Sequence, residues 1–305
     1  MPARHDMMRR ILLLLTGLVI VAAGAFFALS QPLRVTPEDL AGLAGDAARG
    51  ETVFWASGCA SCHAAEDAEG EARLVLSGGR RLVSDFGTFV SPNVSMDPDH
   101  GIGDWTQEDF VTAVAYGTSP EGVHYYPSLP YPSYALAETQ DLVDLWAFWQ
   151  TLPASDAASQ PHELAFPFTI RRGVGLWNLL NVPEDFVLTG DLSAEVARGR
   201  YLAEALAHCA ECHTPRDALG GLDRSRWMAG APNPSGTGTI PALTPDRLDW
   251  SAEEIALYLK DGFAPDFDTA GGSMADVVKN LANLTDEDRM AIALYFKALP
   301  DPSGE

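Results

Sequence analysis

The chain has 305 residues, 47% hydrophobic, 9% aromatic and 20% charged. Those values describe folded globular material and exclude a disordered, collagen-like or polytopic membrane chain. Formal net charge is −22, from 42 acidic against 20 basic residues, and because residues 1–30 hold Arg4, Arg9 and Arg10 against Asp6, the remainder carries −24. So anionic a surface argues against nucleic acid and favours a cationic protein partner, through an attraction that salt weakens.

Residues 1–10 are basic, and residues 11–29 add nineteen positions with no charge. A signal peptide has an apolar stretch of about 7–15 residues and a spanning helix needs about 17–25, so the length predicts a retained anchor over 1–30. Ala28-Leu29-Ser30 is also an acceptable small-x-small cleavage site. Arg9 and Arg10 put the N-terminus in the cytoplasm by the positive-inside rule. The expected location is therefore a bacterial inner membrane, crossed once, with the rest of the chain in the periplasm. Residues 31–45, with Pro32 and Pro37, read as a tether.

The remainder of the chain is one pattern written twice. Ala48-Arg49-Gly50 precedes Cys59 as Ala197-Arg198-Gly199 precedes Cys209. Pro92-Asn-Val-Ser-Met-Asp97 is echoed by Pro241-Ala-Leu-Thr-Pro-Asp246, and Trp105 to Gly117 spans twelve residues as does Trp250 to Gly262. Both copies close on Leu-Pro, at Leu152-Pro153 and Leu299-Pro300. The domains are therefore 46–154 and 195–301, with a linker over 155–194. Each copy reads as three helices: one entering the cysteine motif, one behind the N-cap Thr106 or Ser251, and one behind Thr139 or Thr285. The expected fold is all-α, with Gly- and Pro-rich loops such as 230–238 between helices. Domains this small with such loops need a large apolar group to complete their cores.

The only cysteines, Cys59, Cys62, Cys209 and Cys212, form two Cys-x-x-Cys-His motifs ending at His63 and His213. On a helix this spacing sets two thiols on one face, one turn apart, where they add to the two vinyl groups of a porphyrin, and the His then ligates the iron. This is the signature of covalently bound haem c, and it occurs twice. A redox dithiol does not need the His in both copies, and a four-cysteine zinc site does not fit halves 150 residues apart in separate repeats.

The opposite axial position divides the copies. Met274 lies twenty-four residues after Trp250, in Ala-Gly-Gly-Ser-Met between the second and third helices, where packing explains a methionine poorly and thioether ligation explains it well. Twenty-four residues after Trp105 stands Leu129, which cannot ligate iron, and no Met occurs between Met96 and Met228. The sixth ligand of the first haem is then His124, five residues upstream on the same loop, or alternatively Met96, or the position is open. Trp105 and Trp250 read as core or propionate-contacting residues, and Arg80, Arg81 and Arg216 as propionate partners or solvated arginines.

Over residues 46–301 the chain resembles the diheme cytochrome c proteins related to the cytochrome c subunits of bacterial membrane-bound periplasmic dehydrogenases of the alcohol, gluconate and fructose types. The residues that carry this are Gly78-Gly79-Arg80, Phe86-Gly87-Thr88, Ser91-Pro92-Asn93, Gly101-Ile-Gly-Asp-Trp105, His124-Tyr-Tyr-Pro127, Pro130-Tyr-Pro-Ser-Tyr134 and Cys212-His-Thr-Pro-Arg216. The resemblance implies two tandem class I cytochrome c folds, with Met274 matching the family's distal ligand. Typical dehydrogenase subunits differ in having Met where Leu129 stands and three haem motifs rather than two.

The linker contains Phe166-Pro-Phe-Thr-Ile-Arg-Arg and Gly175-Leu-Trp-Asn-Leu-Leu180, too apolar for a free tether, and is expected to pack between the haem domains. The expected function is electron transfer between a respiratory donor (a dehydrogenase or the quinol side) and a cytochrome or oxidase, with no catalytic residue of the chain's own. The alternatives are a peroxidase-like enzyme with an open first haem, and a permanent subunit of a dehydrogenase or oxidase complex.

Overall fold

The computed structural model describes residues 2–234 and 238–300. Positions 235–237 of the expected 230–238 loop, and position 301 at the end of the second expected domain, lie outside the described residues, as does the side chain of Arg4.

Helix α1, Pro2–Leu29, leads into a chain that turns at Ser30. Its stretch His5–Leu29 has mean hydropathy 2.7 and stands largely free of the rest of the protein, which it meets at its last turn. Twenty-five residues at 1.5 Å rise give about 37 Å, enough to cross a hydrocarbon core of about 30 Å.

The first repeat runs α2 (Ala47–Ala56), α3 (Cys59–His63), α4 (Gln107–Tyr116), α5 (Tyr131–Tyr134) and α6 (Thr139–Trp149). Helix α7 (Val174–Asn181) stands between the repeats. The second runs α8 (Ala194–Arg200), continued by a π-helical turn over Tyr201–Leu206, then α9 (Ala210–His213), α10 (Ala252–Asp261), α11 (Ser273–Leu281) and α12 (Asp286–Ala298). The cap signals are used as expected: Thr106 with Asp109 and Ser251 with Glu254 form capping boxes, and left-handed Gly117 and Gly262 end the helices they start. Glu138, rather than Thr139, is the N-cap of α6. Helices α5 and α11 are additional to the three expected per copy.

In each repeat the first helix crosses the last at a glycine. A Cβ on Gly50 would stand 1.9 Å from the Asp144 carbonyl oxygen, and one on Gly199 would stand 1.8 Å from that of Ala291. The repeated Ala-Arg-Gly is thus a close-approach motif. Its arginines bind the facing helix, Arg49 to Asp144 at 2.7 Å and Arg198 to Asp288 at 2.8 Å.

The protein is mostly helical rather than all-α. Strands β1 (Arg81–Ser84), β2 (Gly87–Val90) and β3 (Glu163–Leu164) form an antiparallel sheet in that order, and β4 (Ala231–Pro232) pairs with β5 (Thr239–Ile240). The stretch between His63 and Trp105 is long, and its backbone polar groups need partners, which the hairpin supplies. The start of the linker belongs to this sheet. Besides β3 on β2, Asn93 Nδ2 donates to the carbonyls of Ser155 and Ala157, both at 2.8 Å.

One apolar cluster runs through both repeats, from Phe54, Phe110 and Trp149 to Leu202, Ile292 and Tyr295. The repeats meet across the first attachment helix: Asn280 Nδ2 donates to Ser61 Oγ at 2.5 Å, Arg73 donates to Asn280 Oδ1 at 2.6 Å, and Arg80 pairs with Asp276 at 2.8 Å. On the opposite side Tyr201 donates its hydroxyl to Asp141 at 2.5 Å.

Two candidate haem-attachment sites

Left-handed residues open both cysteine motifs, Gly58 with φ 65° and His208 with φ 42°. The second is a non-glycine in a strained region. Its ring is held at the seam between repeats, Nε2 at 3.3 Å from the Ser57 carbonyl and the plane edge-on to Tyr134. Burial pushes the Cys59 and Cys209 thiols up to about 12. Such sulfurs are neutral at physiological pH, and no disulfide ties up any of the four cysteines, so each is available for a thioether.

The two motif histidines are oriented alike. His63 Nδ1 lies 3.0 Å from the Pro92 carbonyl oxygen and His213 Nδ1 lies 2.7 Å from that of Pro241. Since a carbonyl can only accept, Nδ1 carries the proton and Nε2 is left free to ligate a metal. Burial holds both imidazoles below their usual pKa, so they are neutral near pH 7, the form able to bind a metal. Pro92 is seated by Gly78, where φ is +73° and a Cβ would meet the Pro92 carbonyl carbon at 2.4 Å. The Gly78 amide donates to the His63 carbonyl at 2.7 Å, and Gly230 does the same for His213 at 2.8 Å.

Beside His63 opens a cavity of about 400 Å³ whose walls include Cys62, Trp105, Phe110, Ala113, Leu129 and Trp149. An apolar slot with the Cys62 thiol and a free imidazole nitrogen on its wall fits a porphyrin. Leu129 lines it, and neither His124 nor Met96 does. The structure gives His124 another role: it is buried, 3% exposed, with Nε2 at 2.9 Å from the Ser30 carbonyl at the end of α1. Met96 packs half-buried against the core.

Two imidazoles besides His63 line the cavity, His100 and His162. His162 Nδ1 accepts the Val90 amide at 3.1 Å, which places its proton on Nε2 and leaves no free nitrogen for iron in the neutral ring. His100 Nδ1 is turned to Asp97 at 3.2 Å.

The arginines also redistribute. Arg80 is held by Asp276 and the Ser61 carbonyl, Arg81 by Glu163, and Arg216 by Glu211. The cation in the first cavity is Arg171 of the linker, its guanidinium 4.6 Å from the Tyr126 ring centroid. The sequence pattern marks residues 166–172 as apolar linker, and the signal for Arg171 is only that it interrupts an apolar run.

In the second repeat Met274 lies in the first turn of α11 rather than on a loop, half-buried against the core. Trp105 is a cavity wall, and Trp250 packs edge-on against Tyr258 at 5.2 Å. A buried carboxylate accompanies this site. Glu204, in the π-turn, accepts the Val187 amide at 2.7 Å and the Tyr295 hydroxyl at 2.8 Å. Burial raises its pKa despite these donors.

Residues 47–153 match the family described as cytochrome c, and residues 194–296 match cytochrome c oxidase, cbb3-type, subunit III. A diheme cytochrome c-type protein of Cereibacter sphaeroides is 60% identical over 293 residues, covering 96% of this chain and 99% of that protein. The chain belongs to the diheme cytochrome c family. It is also 33% identical to the fructose dehydrogenase cytochrome subunit of Gluconobacter japonicus and to the gluconate 2-dehydrogenase cytochrome c subunit of Pantoea cypripedii. Of those two relatives this diheme cytochrome c spans 52% and 59% of the length.

Proposed function

We propose that this diheme cytochrome c is a membrane-anchored, periplasm-facing electron carrier that takes electrons from a dehydrogenase or the quinol side and passes them to a cytochrome or oxidase. The observation that carries the reading is the pair of Cys-x-x-Cys-His motifs, each with its histidine held by a proline carbonyl, packed on one continuous core behind an apolar N-terminal helix. Two haem c groups, linked through Cys59 and Cys62 and through Cys209 and Cys212, supply one-electron redox chemistry when bound.

The chain's own contribution is placement and tuning. His63 and His213 present Nε2 because Pro92 and Pro241 hold their other nitrogen. Met274 brings a thioether to the second site, which raises potential, whereas Leu129 brings no donor to the first. The asymmetry gives transfer a direction, toward the second repeat. Arg80–Asp276 and the contacts of Asn280 fix the repeats so that distance does not fluctuate. The −24 charge outside the first thirty residues suits brief docking to a basic partner.

A peroxidase-like role at the first site is the second reading, favoured by Leu129, His162 and Arg171 sharing one cavity. Permanent membership of a dehydrogenase complex is what the relatives' names suggest, and co-purification of a stoichiometric partner from detergent identifies it.

The test is stopped-flow oxidation of the ferrous full-length protein by a basic soluble c-type cytochrome. The carrier reading expects fast transfer whose second-order rate falls steeply with ionic strength. Slow, salt-independent transfer together with peroxide turnover contradicts it in favour of the second reading.

A further inference from the structure

Outside α1, five of the twelve exposed large apolar side chains among the described residues fall in one short segment. Phe166, Phe168, Ile170, Leu179 and Leu180 are 80%, 41%, 50%, 60% and 75% exposed. From 166 to 182 this segment holds Arg171 and Arg172 and no carboxylate, in a chain with 42 acidic residues. A soluble surface does not gather side chains of this kind without a partner.

The partner is indicated by what the segment is bound to. Arg172 grips the last turn of α1, donating from Nε to Ser30 Oγ at 2.8 Å and from Nη2 to the Phe27 carbonyl at 2.7 Å. Its guanidinium stands 5.7 Å from the Phe27 ring centroid. Ser30 is fully buried, and Gly175 lies so close that a Cβ there would stand 2.6 Å from the Ser30 carbonyl oxygen and 2.7 Å from His124 Nε2. The end of α1 is therefore seated in a socket made by His124, Arg172 and Gly175. On α7 the inward positions are Gly175, Asn178, which accepts the Tyr131 hydroxyl at 2.6 Å, and Asn181. Leu180 lies two residues, about 200° of helical turn, from Asn178 and so stands on the opposite, outward side.

We propose that residues 166–182 form a platform that lies on the phospholipid surface where α1 emerges, with its phenylalanines and leucines in the interfacial layer. The inference rests on the membrane anchoring proposed for α1. An apolar ridge continuous with a spanning helix, cationic within a strongly acidic protein, is matched to a bilayer rather than to another copy of the acidic chain. The platform also orders the two sites. Tyr126, in the wall of the first cavity, donates its hydroxyl to the Phe168 carbonyl at 2.7 Å, and Arg171 reaches the same cavity from the platform. The first site is thereby held at the membrane surface, where a donor on the quinol side arrives, and the second is presented to soluble partners.

The test uses the haem-loaded full chain in nanodiscs of phosphatidylethanolamine and phosphatidylglycerol, with a nitroxide on one introduced cysteine at a time: Leu18→Cys in α1, Phe168→Cys and Leu180→Cys on the platform, and Leu257→Cys on α10. Collision with oxygen marks lipid, and collision with a water-soluble nickel chelate marks water. The expected result is several-fold preference for oxygen at 18, 168 and 180 and the reverse preference at 257. Platform labels that behave like the one at 257 while 18 stays in lipid overturn the platform and leave the anchor. Platform labels shielded from both reagents mean a protein cover and also overturn it. A label at 18 exposed to the chelate overturns the anchoring reading itself.

Discussion

In the first repeat Gly117 ends α4 with φ 59° and Leu129 stands twelve residues on; in the second Gly262 ends α10 with φ 78° and Met274 stands twelve residues on. The loops leave their helices alike. The Tyr125 amide bonds the Gly117 carbonyl at 2.6 Å and the Ala270 amide bonds the Gly262 carbonyl at 2.8 Å, while isolated bridges join Thr118 to His124 and Phe263 to Thr269. Backbone geometry is therefore common to the repeats, and chemistry is set by single side chains placed on it. His124 and Thr269 occupy matching positions, but the first is buried against Ser30 and the second is exposed. The repeat nearer α1 uses this position to seat the end of α1, and the other leaves it to solvent.

If the frame is shared, breaking it has the same result in either copy, and this is the largest effect expected. Gly50→Ala and Gly199→Ala each force a helix off a carbonyl less than 2 Å away. Each should cost about 3 kcal/mol or prevent folding, as measured by urea denaturation of the haem-loaded protein. A loss confined to one variant would show that the two crossings are not equivalent.

Exchanging the differing residues should exchange the properties. Met274→Leu is expected to lower the potential of the second haem by on the order of 100 mV, and Leu129→Met to raise that of the first by a similar amount, in a spectroelectrochemical titration. Unchanged potentials in both variants would remove axial sulfur as the source of the asymmetry.

The smallest effects are in pH dependence, where the repeats carry acids of opposite sign. For Asp144 burial raises the pKa, but hydrogen bonds from Arg49, the Asp46 amide and Gln140 outweigh it and the net pKa is lowered. Its stabilisation is present above the unfolded carboxylate value of about 3.9 and is lost as pH falls through the folded value. Glu204 is raised, chiefly by burial, so the folded state binds its proton more tightly. Its contribution is largest below about 4.3 and is lost as pH rises through the folded value. Asp144→Asn should cost about 1 kcal/mol at neutral pH, because Arg49 is half exposed and water screens the pair. It should also flatten the acid limb of the stability profile, whereas Glu204→Gln flattens the opposite limb. Urea midpoints taken across the acid range measure both.

Much of the frame is legible in the sequence because its marks are local: two thiols and an imidazole in five residues, a glycine at each helix crossing, and a capping box at each middle helix. Met274 is singled out by its spacing from Trp250, and a turn of helix stands where a loop is expected. The position of His124 is not legible. Its partner Ser30 is 94 residues away, and nothing local distinguishes a histidine that binds metal from one that binds a carbonyl. Arg171 and Glu204 escape notice for the same reason, since their surroundings are assembled from the linker, a π-turn and a distant helix. The sheet is hidden because β3 is two residues long and pairs with β2 some seventy residues earlier.

If the frame holds two haems of which only the second has a strong sixth ligand, carbon monoxide distinguishes them. The measurement is the visible spectrum of the ferrous, detergent-solubilised full-length protein, titrated with carbon monoxide. One of the two haems is expected to bind it, and Met274→Leu to make both do so. A wild-type protein in which neither haem binds carbon monoxide would contradict this, and would show that the first cavity supplies a ligand after all.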